Sequence, residues 1–241
     1  MTIVAIDAGN TRIKWGLRDA DGWRARGALA TADAGALAAV AAGWPRDARI
    51  VLCNVAGDGV RQAIVDALPA AADLHLFAAA AECCGVTNGY EQPGQLGADR
   101  WAALIGARGQ CAAACLVVCA GTATTVDLLA ADGRFRGGVI LPGFDLMRSS
   151  LARNTAQLPL AEGGERTLRP APTNTVDAIV GGCLNAQLGA IERMFAHIAG
   201  EPGAVCLLTG GAAPRLLHDL NIPVQLAENL ILDGLARFAT A

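Results

Sequence analysis

The sequence has few charged residues, and positive charge is not in excess. Charged residues make up 17% of the 241 residues and hydrophobic residues 53%, a balance that excludes a chain too polar to bury a core. Lys and Arg number 19 against 22 Asp and Glu, which gives a formal net charge of −3. No broad positive field is available to hold a phosphate backbone. We therefore expect a folded protein that does not bind nucleic acid.

Long apolar segments are also missing. The longest strongly apolar stretch, Cys111–Ala120, ends at Gly121 and Thr122, well short of the roughly 20 residues that a membrane-spanning helix needs. The first residues lack the basic region of an export signal and reach the carboxylate of Asp7 before an apolar segment could form. These features predict a cytoplasmic protein that does not interact with membranes.

Cysteine is plentiful, but its spacing does not match a metal site. The sequence has 8 cysteines and 3 histidines, and no CxxC pair or nearby His completes a zinc ligand set around Cys83 and Cys84 or around the 111–119 segment. In a reducing compartment the cysteines should be free thiols. Four of them lie in or beside apolar runs and are expected to be small core residues: Cys53, Cys115, Cys119 and Cys206.

The order of predicted elements repeats along the chain. Residues 2–77 read as three strands followed by alternating helices and strands, and the second half begins the same way at Leu116. The turns also look alike, with Asp7-Ala8-Gly9-Asn10-Thr11 in the first half and Cys119-Ala120-Gly121-Thr122-Ala123 in the second. The repeat predicts an α/β protein of two similar lobes, residues 1–113 and 114–241, with a ligand cleft between them.

The first turn, Asp7–Thr11, has the composition of a phosphate-binding loop. Small residues let backbone N–H groups approach a ligand, and a carboxylate at a strand end can hold Mg²⁺. Lys14 lies two positions beyond Arg12 on the predicted strand and therefore shares its face. The same residues also suit an ordinary hairpin turn, and the motif alone does not distinguish a phosphate-binding loop from such a turn. The GxxxxGK[ST] pattern of a Walker A loop does not follow the strand.

Two further glycine turns follow predicted strands in the second half. Gly121–Thr125 offers backbone donors and hydroxyls, with Asp127 further along the strand. Thr is also common in strands that have no binding role, because it has a high β propensity. Thr209-Gly210-Gly211 would let a flat ring lie against the backbone, as an adenine or ribose pocket requires, but it also fits a plain turn from strand to helix. The turns Asp7–Thr11 and Gly121–Thr125 occupy equivalent places in the repeat. We therefore expect them to face each other across the cleft and to bind a polyphosphate between them.

Asp99 and Arg100 fall at the start of an Ala-rich predicted helix, in the segment Gly97-Ala98-Asp99-Arg100. An acidic residue in the first turn stabilises a helix by about 0.3–1 kcal/mol through the helix dipole. This effect alone is enough to explain an acidic residue at position 99. In the functional interpretation, Asp99 accepts the proton of the substrate hydroxyl and Arg100 binds an anion. The residues alone favour the first interpretation.

The long predicted helix Val176–Ala199 carries an apolar stripe at helical spacing. Core packing is the first explanation, and a share of the stripe could form a dimer contact. The preceding segment Gln157–Asn174 contains Pro and Gly and predicts a long surface loop. Val86–Leu96, with two Gly, one Pro and the only Tyr, predicts an ordered loop, and residues 34–42 predict a short helix.

Five segments taken together resemble the type III pantothenate kinases, and they occur in the family's order. They are Asp7–Lys14, Tyr90–Arg100, Ala120–Thr125, Gly137–Gly143 and Asn174–Ile179. The resemblance implies a fold of the acetate kinase, sugar kinase, Hsp70 and actin type, with two ribonuclease H-like lobes and ATP between them, and a homodimer. It also implies transfer of the ATP γ-phosphoryl group to the primary hydroxyl of pantothenate, the first step of coenzyme A biosynthesis.

The resemblance also implies roles for individual residues. Asp99 would be the general base, and Asp7 is our candidate ligand for the Mg²⁺ that accompanies ATP. ATP would be bound by Asp7, Ala8, Gly9, Asn10, Thr11, Arg12, Ile13, Lys14 and Thr122. Pantothenate would be bound by Tyr90, Gly97, Ala98, Asp99, Arg100 and Thr175.

One position departs from the family pattern. Many members have Asp where Cys119 stands, at a position associated with a monovalent cation such as K⁺ or NH₄⁺. A neutral thiol is a poor ligand for a hard cation, so the sequence argues against that requirement. Two alternative functions stay open: a kinase of the same superfamily that acts on a sugar or short acid, and a regulatory accessory factor that binds a nucleotide without turnover.

Overall fold

The computed structural model describes residues 1–161 and 169–241, which form twelve strands, seven α-helices and two 3₁₀ helices, Thr31–Ala36 and Pro93–Gln95. The strands are β1 Ile3–Ala8, β2 Arg12–Asp19, β3 Gly22–Ala30, β4 Arg49–Asn54, β5 Asp73–Phe77, β6 Glu82–Cys83, β7 Val86–Thr87, β8 Cys115–Ala120, β9 Ala123–Leu129, β10 Phe135–Pro142, β11 Val205–Thr209 and β12 Val224–Leu226. The helices are α1 Leu37–Ala41, α2 Asp58–Ala67, α3 Ala98–Gln110, α4 Phe144–Asn154, α5 Thr175–Phe195, α6 Ala213–Leu217 and α7 Leu230–Ala239. Within the described ranges, none of these helices is long and apolar enough to cross a membrane.

Two five-stranded sheets share one topology. The first has the order β3-β2-β1-β4-β5 and the second the order β10-β9-β8-β11-β12. In each sheet the central strand pairs antiparallel with the next strand in sequence, and parallel with a later strand on its other side. The structure therefore confirms the internal repeat that the sequence predicts.

The first compact unit comprises Met1–Ala112, Gly133–Arg136 and Asn229–Ala241. The last helix, α7, thus belongs to the unit that contains the first strand. Helices α3 and α7 cross with their backbones in contact, since a Cβ added to Gly106 would lie 2.0 Å from the carbonyl oxygen of Leu230. The opposite face of the sheet packs against the 31–42 segment and α2, around Ile6, Leu52 and Ile64.

The second compact unit comprises Ala113–Asp132 and Gly137–Glu228. Its core lies between the second sheet and α5. The predicted apolar stripe of this helix is buried at every position: Ile179, Val180, Cys183, Leu184, Leu188 and Ile191. The helix begins at Thr175, where the Asn174 side chain accepts a hydrogen bond from the Asp177 N–H at 2.9 Å and so satisfies one of the unpaired donors of the first turn.

Two local predictions differ from the structure, and a third is tested only in part. The predicted helix 34–42 begins as a 3₁₀ helix over Thr31–Ala36, because Asp33 has non-helical backbone angles, and becomes α-helical only at Leu37. The predicted loop at 86–96 begins with a strand that forms a short hairpin, β6 with β7. The predicted loop Gln157–Asn174 falls partly outside the described residues, and its described ends contain neither helix nor strand.

The close crossing of α3 and α7 predicts a large cost for one added methyl group. Gly106→Ala should lower the free energy of unfolding by about 1–3 kcal/mol, because the new Cβ meets the carbonyl of Leu230 and backbone cannot yield as a flexible side chain can. The control is Gly189→Ala in α5, which is exposed and has nothing within 4 Å and should gain roughly 0.5–1 kcal/mol. Urea unfolding measures both, and a Gly106→Ala variant as stable as the parent protein would contradict the crossing.

Candidate active site

The turn between β1 and β2 is tight and braced from behind. Gly9 N–H donates to the Arg12 carbonyl at 3.1 Å, and a Cβ at Gly9 would lie 3.3 Å from that oxygen. Thr31 holds both ends of the turn, since its hydroxyl donates to the Gly9 carbonyl at 2.6 Å and its N–H to the Thr11 carbonyl at 3.1 Å. The side chains of Asn10, Thr11 and Arg12 are exposed at this fixed turn. No motif or spacing in the sequence indicates this role of Thr31.

Strand alternation divides the predicted ATP-binding residues into two groups. The side chains of Ala8 and Ile13 are fully buried in the core of the first unit, so these two residues could offer a ligand only their backbone. Arg12 and Lys14 lie on the opposite face of β2 from Ile13. The charged side chains of this motif are therefore directed away from the apolar core.

Asp7 is a buried acid with a cation on the neighbouring strand. It is 7% exposed, and it pairs in register with Lys14 on β2 and with Cys53 on β4. Burial raises the pKa of Asp7 to about 7, a shift that Lys14 opposes and the charge of Asp99 increases. At neutral pH a carboxylate with this pKa is divided between its charged and neutral forms, so a bound cation would shift it to the charged form.

Asp99 lies in the first turn of α3, near Asp7. Its Oδ1 accepts a hydrogen bond from the Arg100 N–H at 2.8 Å, and a Cβ at Gly97 would come within 2.7 Å of that oxygen. Gly97 therefore leaves the room that this carboxylate occupies. Burial raises the pKa of Cys53 well above its usual value, and the charges of Asp7 and Asp99 raise it further. The structure thus brings together two acids that are 92 positions apart in the sequence.

Arg100 is a buried cation held against aromatic rings. It is 4% exposed, and its Nη1 donates to the Tyr90 hydroxyl at 2.6 Å. Its guanidinium lies 5.5 Å from the ring centroid of Tyr90 and 5.8 Å from that of Phe135, within the range of cation–π attraction. The two rings stack with centroids 5.5 Å apart. Phe135 is a site residue that sequence reasoning missed, because its apolar strand pattern indicates only a core position.

In the second unit, the turn that carries Thr122 is enclosed by glycines. Gly121 N–H donates to the Ala123 carbonyl at 3.0 Å, and Gly143 N–H donates to the Thr122 carbonyl at 2.9 Å. A Cβ at Gly143 would lie 2.0 Å from the Gly121 carbonyl, so only glycine fits there. Gly210 has a positive φ of 103°, and its own added Cβ would lie 2.2 Å from the Ala120 carbonyl. The turns after β8 and β11 therefore lie against each other, with Thr122 exposed.

Cys119 lies on the central strand of the second sheet, between two strands that carry threonines. This half-buried thiol pairs in register with Thr125 on β9 and Thr209 on β11. The hydroxyls of Thr124 and Thr125 are buried and make no hydrogen bond to the described residues. Sulfur and hydroxyl groups are a poor donor set for a hard cation that prefers charged oxygen ligands. Cys119 itself therefore offers a hard cation only a weak ligand.

Thr175, the remaining predicted substrate residue, belongs to the second unit, whereas Tyr90, Asp99 and Arg100 belong to the first. It is exposed as the first residue of α5. There it lines an open, largely apolar groove of about 1150 Å³ between α4 and α5, which Leu146 and Leu151 also line.

The family follows from comparison with known sequences. A family model described as type III pantothenate kinase matches residues 3–197. The chain belongs to the type III pantothenate kinase family. A type III pantothenate kinase from Aromatoleum aromaticum is 58% identical over 235 residues, which are 97% of this chain and 96% of the relative. The resemblance inferred from five short segments is thereby confirmed over nearly the full length.

Solved structures establish the fold of this family member. A Baf family transcriptional activator from Campylobacter jejuni superposes with a TM-score of 0.64 at 18% identity, covering 99% of this chain and 98% of that one. An activator of 2-hydroxyisocaproyl-CoA dehydratase from Clostridium difficile, with bound ADPNP, gives 0.57 at 13% identity, with coverage of 100% and 94%. At these identities the likeness shows the fold alone, and it confirms the predicted two-lobed α/β class.

The raised pKa of Asp7 predicts how stability depends on pH. Between about pH 4 and 7 the folded protein keeps a proton on Asp7 that the unfolded chain releases, since 3.8 is the unshifted value. The contribution of Asp7 to stability therefore falls as pH rises through this window, by at most about 1.4 kcal/mol per pH unit, and is constant above it. Asp7→Asn should remove this slope and gain stability relative to the parent protein as pH rises.

Urea unfolding of both proteins between pH 4 and 8, with EDTA present, tests this dependence. Asp47→Asn, which changes an exposed carboxylate, controls for the loss of one negative charge. A difference between parent and Asp7→Asn that is the same at every pH would show that Asp7 titrates as an ordinary acid.

Proposed function

We propose that the protein phosphorylates the primary hydroxyl of pantothenate with ATP, giving 4'-phosphopantothenate at the first step of coenzyme A biosynthesis. The observation that carries the proposal is the grouping of Asp7, Lys14 and Asp99 in a chain that belongs to the type III pantothenate kinase family. Two acids and one cation at a glycine turn are what phosphoryl transfer to an alcohol requires. We assign the reaction to the cytoplasm, where ATP is the common phosphoryl donor.

In this proposal the ATP phosphates are bound by the turn Gly9–Thr11, by Arg12 and Lys14, and by Thr122. The turn offers backbone N–H groups, and Lys14, which is half-buried, offers a positive charge on the face of β2 opposite Ile13. Asp7 fits a Mg²⁺ ion, because this ion is held by one or two carboxylates together with the substrate phosphates. The ion, when bound, neutralises charge on the phosphates and favours the ionised form of Asp7.

Asp99 would act on the acceptor hydroxyl. An ordinary carboxylate is a weak base for an alcohol, but the transition state of phosphoryl transfer is loose and the proton leaves late. The main task of Asp99 is then to hold the hydroxyl in line with the phosphorus atom. Arg100, positioned by Tyr90 and Phe135, would bind the carboxylate of pantothenate, with Tyr90, Gly97, Ala98 and Thr175 as further contacts.

Replacing the proposed base gives a direct test. Asp99→Asn should lower kcat by roughly 10²–10⁴-fold, because an amide cannot accept the proton, while the KM for ATP changes little. The matched control is Asp58→Asn, which changes an acidic residue in the first turn of α2, 92% exposed, and should leave kcat unchanged. Coupled measurement of ADP release provides both values, and near-normal turnover by Asp99→Asn would refute the assigned role.

The same ADP assay separates the alternative functions. Release that depends on pantothenate supports the proposal, whereas release that depends on a sugar or a short acid would identify another kinase of the superfamily. ATP binding without any acceptor-dependent ADP release would identify a nucleotide-binding regulator. We also propose that turnover does not depend on K⁺ or NH₄⁺, because the donor set around Cys119 does not suit either ion.

We further propose that the protein is a homodimer, formed through the surface of β10 and α4. Eight large hydrophobic side chains are exposed among the described residues, and five of them lie between positions 139 and 160: Val139, Ile140, Leu146, Leu151 and Leu160. This concentration adjoins the apolar groove between α4 and α5. Exposed apolar side chains concentrated in this way are typical of a protein interface.

A charge placed on this surface should dissociate the dimer. The parent protein should sediment as a dimer, and Ile140→Glu, at a side chain that is 62% exposed, should shift it to monomer without loss of folding. Leu76→Glu is the matched control, since Leu76 is 53% exposed but lies in β5 of the first unit. Sedimentation velocity measures all three proteins, and a parent protein that is purely monomeric would refute the proposal.

A further inference from the structure

Two adjacent cysteines, Cys83 and Cys84, lie at the turn of the β6–β7 hairpin. Their Sγ atoms are 3.5 Å apart, and the Cys83 thiol donates a hydrogen bond to the sulfur of Cys84. Both residues are half-exposed and both are free thiols. The pair is therefore accessible to small reagents. Neither cysteine belongs to the residues proposed to bind ATP or pantothenate.

The backbone of the turn holds the two thiols on the same side. Cys84 has a φ of 50°, the one positive value at a non-glycine position within the described ranges, and Gly85 follows with a φ of 78°. The turn is fixed from outside as well. Thr87 N–H donates to the Gly133 carbonyl at 3.0 Å, and Arg237 Nη2 donates to the Cys84 carbonyl at 3.4 Å. The proximity of the sulfurs is thus set by the fold of the hairpin.

The spacing suits a bridging atom better than a disulfide. Cα atoms joined by a trans peptide lie about 3.8 Å apart, and the described chain has no cis peptide. Disulfides usually join Cα atoms about 4.4–6.8 Å apart with a sulfur–sulfur bond of about 2.05 Å. Two sulfurs 3.5 Å apart can instead both bond to one larger atom placed between them. Two thiols are a donor set that selects soft centres.

The protonation state of the two thiols limits which soft metal or metalloid they can bind. Burial raises the pKa of the Cys83 thiol to about 11, and the hydrogen bond to Cys84 contributes to the shift. A protonated thiol is a poor nucleophile and a poor ligand for a simple metal ion, since both roles need the thiolate. A reagent that carries oxygen on the soft atom reacts differently, because the thiol proton can leave with that oxygen as water.

We propose that Cys83 and Cys84 form a two-thiol binding site for trivalent arsenic compounds that carry As–OH or As=O groups. With an arsine oxide, two As–S bonds form and the As=O bond breaks. The two thiol protons leave with the oxygen as one molecule of water, and arsenic remains trivalent. With arsenous acid, two As–OH bonds are replaced and two molecules of water leave. The reaction needs no oxidant, reductant or other partner, and it is independent of the kinase activity.

Phenylarsine oxide is the probe for this site. Intact-mass measurement of the full-length protein should show one adduct per chain, accompanied by the loss of two titratable thiols. Cys83→Ser and Cys84→Ser should each weaken binding by roughly 10²-fold, because a chelate loses its second attachment. Cys111→Ser, which also changes a half-exposed thiol, should bind as the parent protein does.

A second measurement needs no variant. A small dithiol should release the adduct from the parent protein, whereas a monothiol at the same total thiol concentration should not. Peptide mapping should place the adduct on the segment that contains both cysteines. An adduct mapped to another segment, or one that a monothiol removes as easily, would overturn the proposal. Unchanged binding by either Ser variant would do the same.

Discussion

The carboxylate of Asp7, at the end of a fully buried strand, is the constraint on which the rest of the site depends. Burial alone would keep this acid neutral. Strand register places Lys14 beside it on one side, and the start of α3 brings the second acid, Asp99, close enough to act on its pKa. The ionised form of Asp7 therefore depends on nearby positive charge. A group with this property suits a site that receives a cation together with phosphates.

The internal repeat explains why the chain has two similar turns but one such acid. In both sheets the central strand ends at a glycine whose N–H bonds back across the turn, from Gly9 to Arg12 and from Gly121 to Ala123. The motif letters align Asp7 of the first turn with Cys119 of the second. The duplicated backbone thus supplies two places where amides can meet an anion, whereas the first copy alone adds a carboxylate there.

The substrate side of the first unit depends on a different balance. Arg100 is almost fully buried, and a buried charge requires compensation. The Tyr90 hydroxyl and the faces of Tyr90 and Phe135 supply part of it. Phe135 reaches this place because residues 133–136, which include the first two residues of β10, belong to the first unit, whereas β9 and the rest of β10 belong to the second. In the proposed function, this held charge is the one that binds the carboxylate of pantothenate.

The element types, the internal repeat and the chemical groups at the turns can be predicted from the amino-acid sequence, because alternation, helical spacing and glycine chemistry act between near neighbours along the chain. It could not show that Thr31 braces the first turn, that Phe135 stacks on Tyr90, or that α7 packs against α3 through Gly106 and Gly234. It also could not give the pKa of Asp7 or the spacing of the Cys83 and Cys84 sulfurs. These features follow from the three-dimensional fold, since burial and contact between distant segments depend on the packing of the whole unit and leave no local pattern.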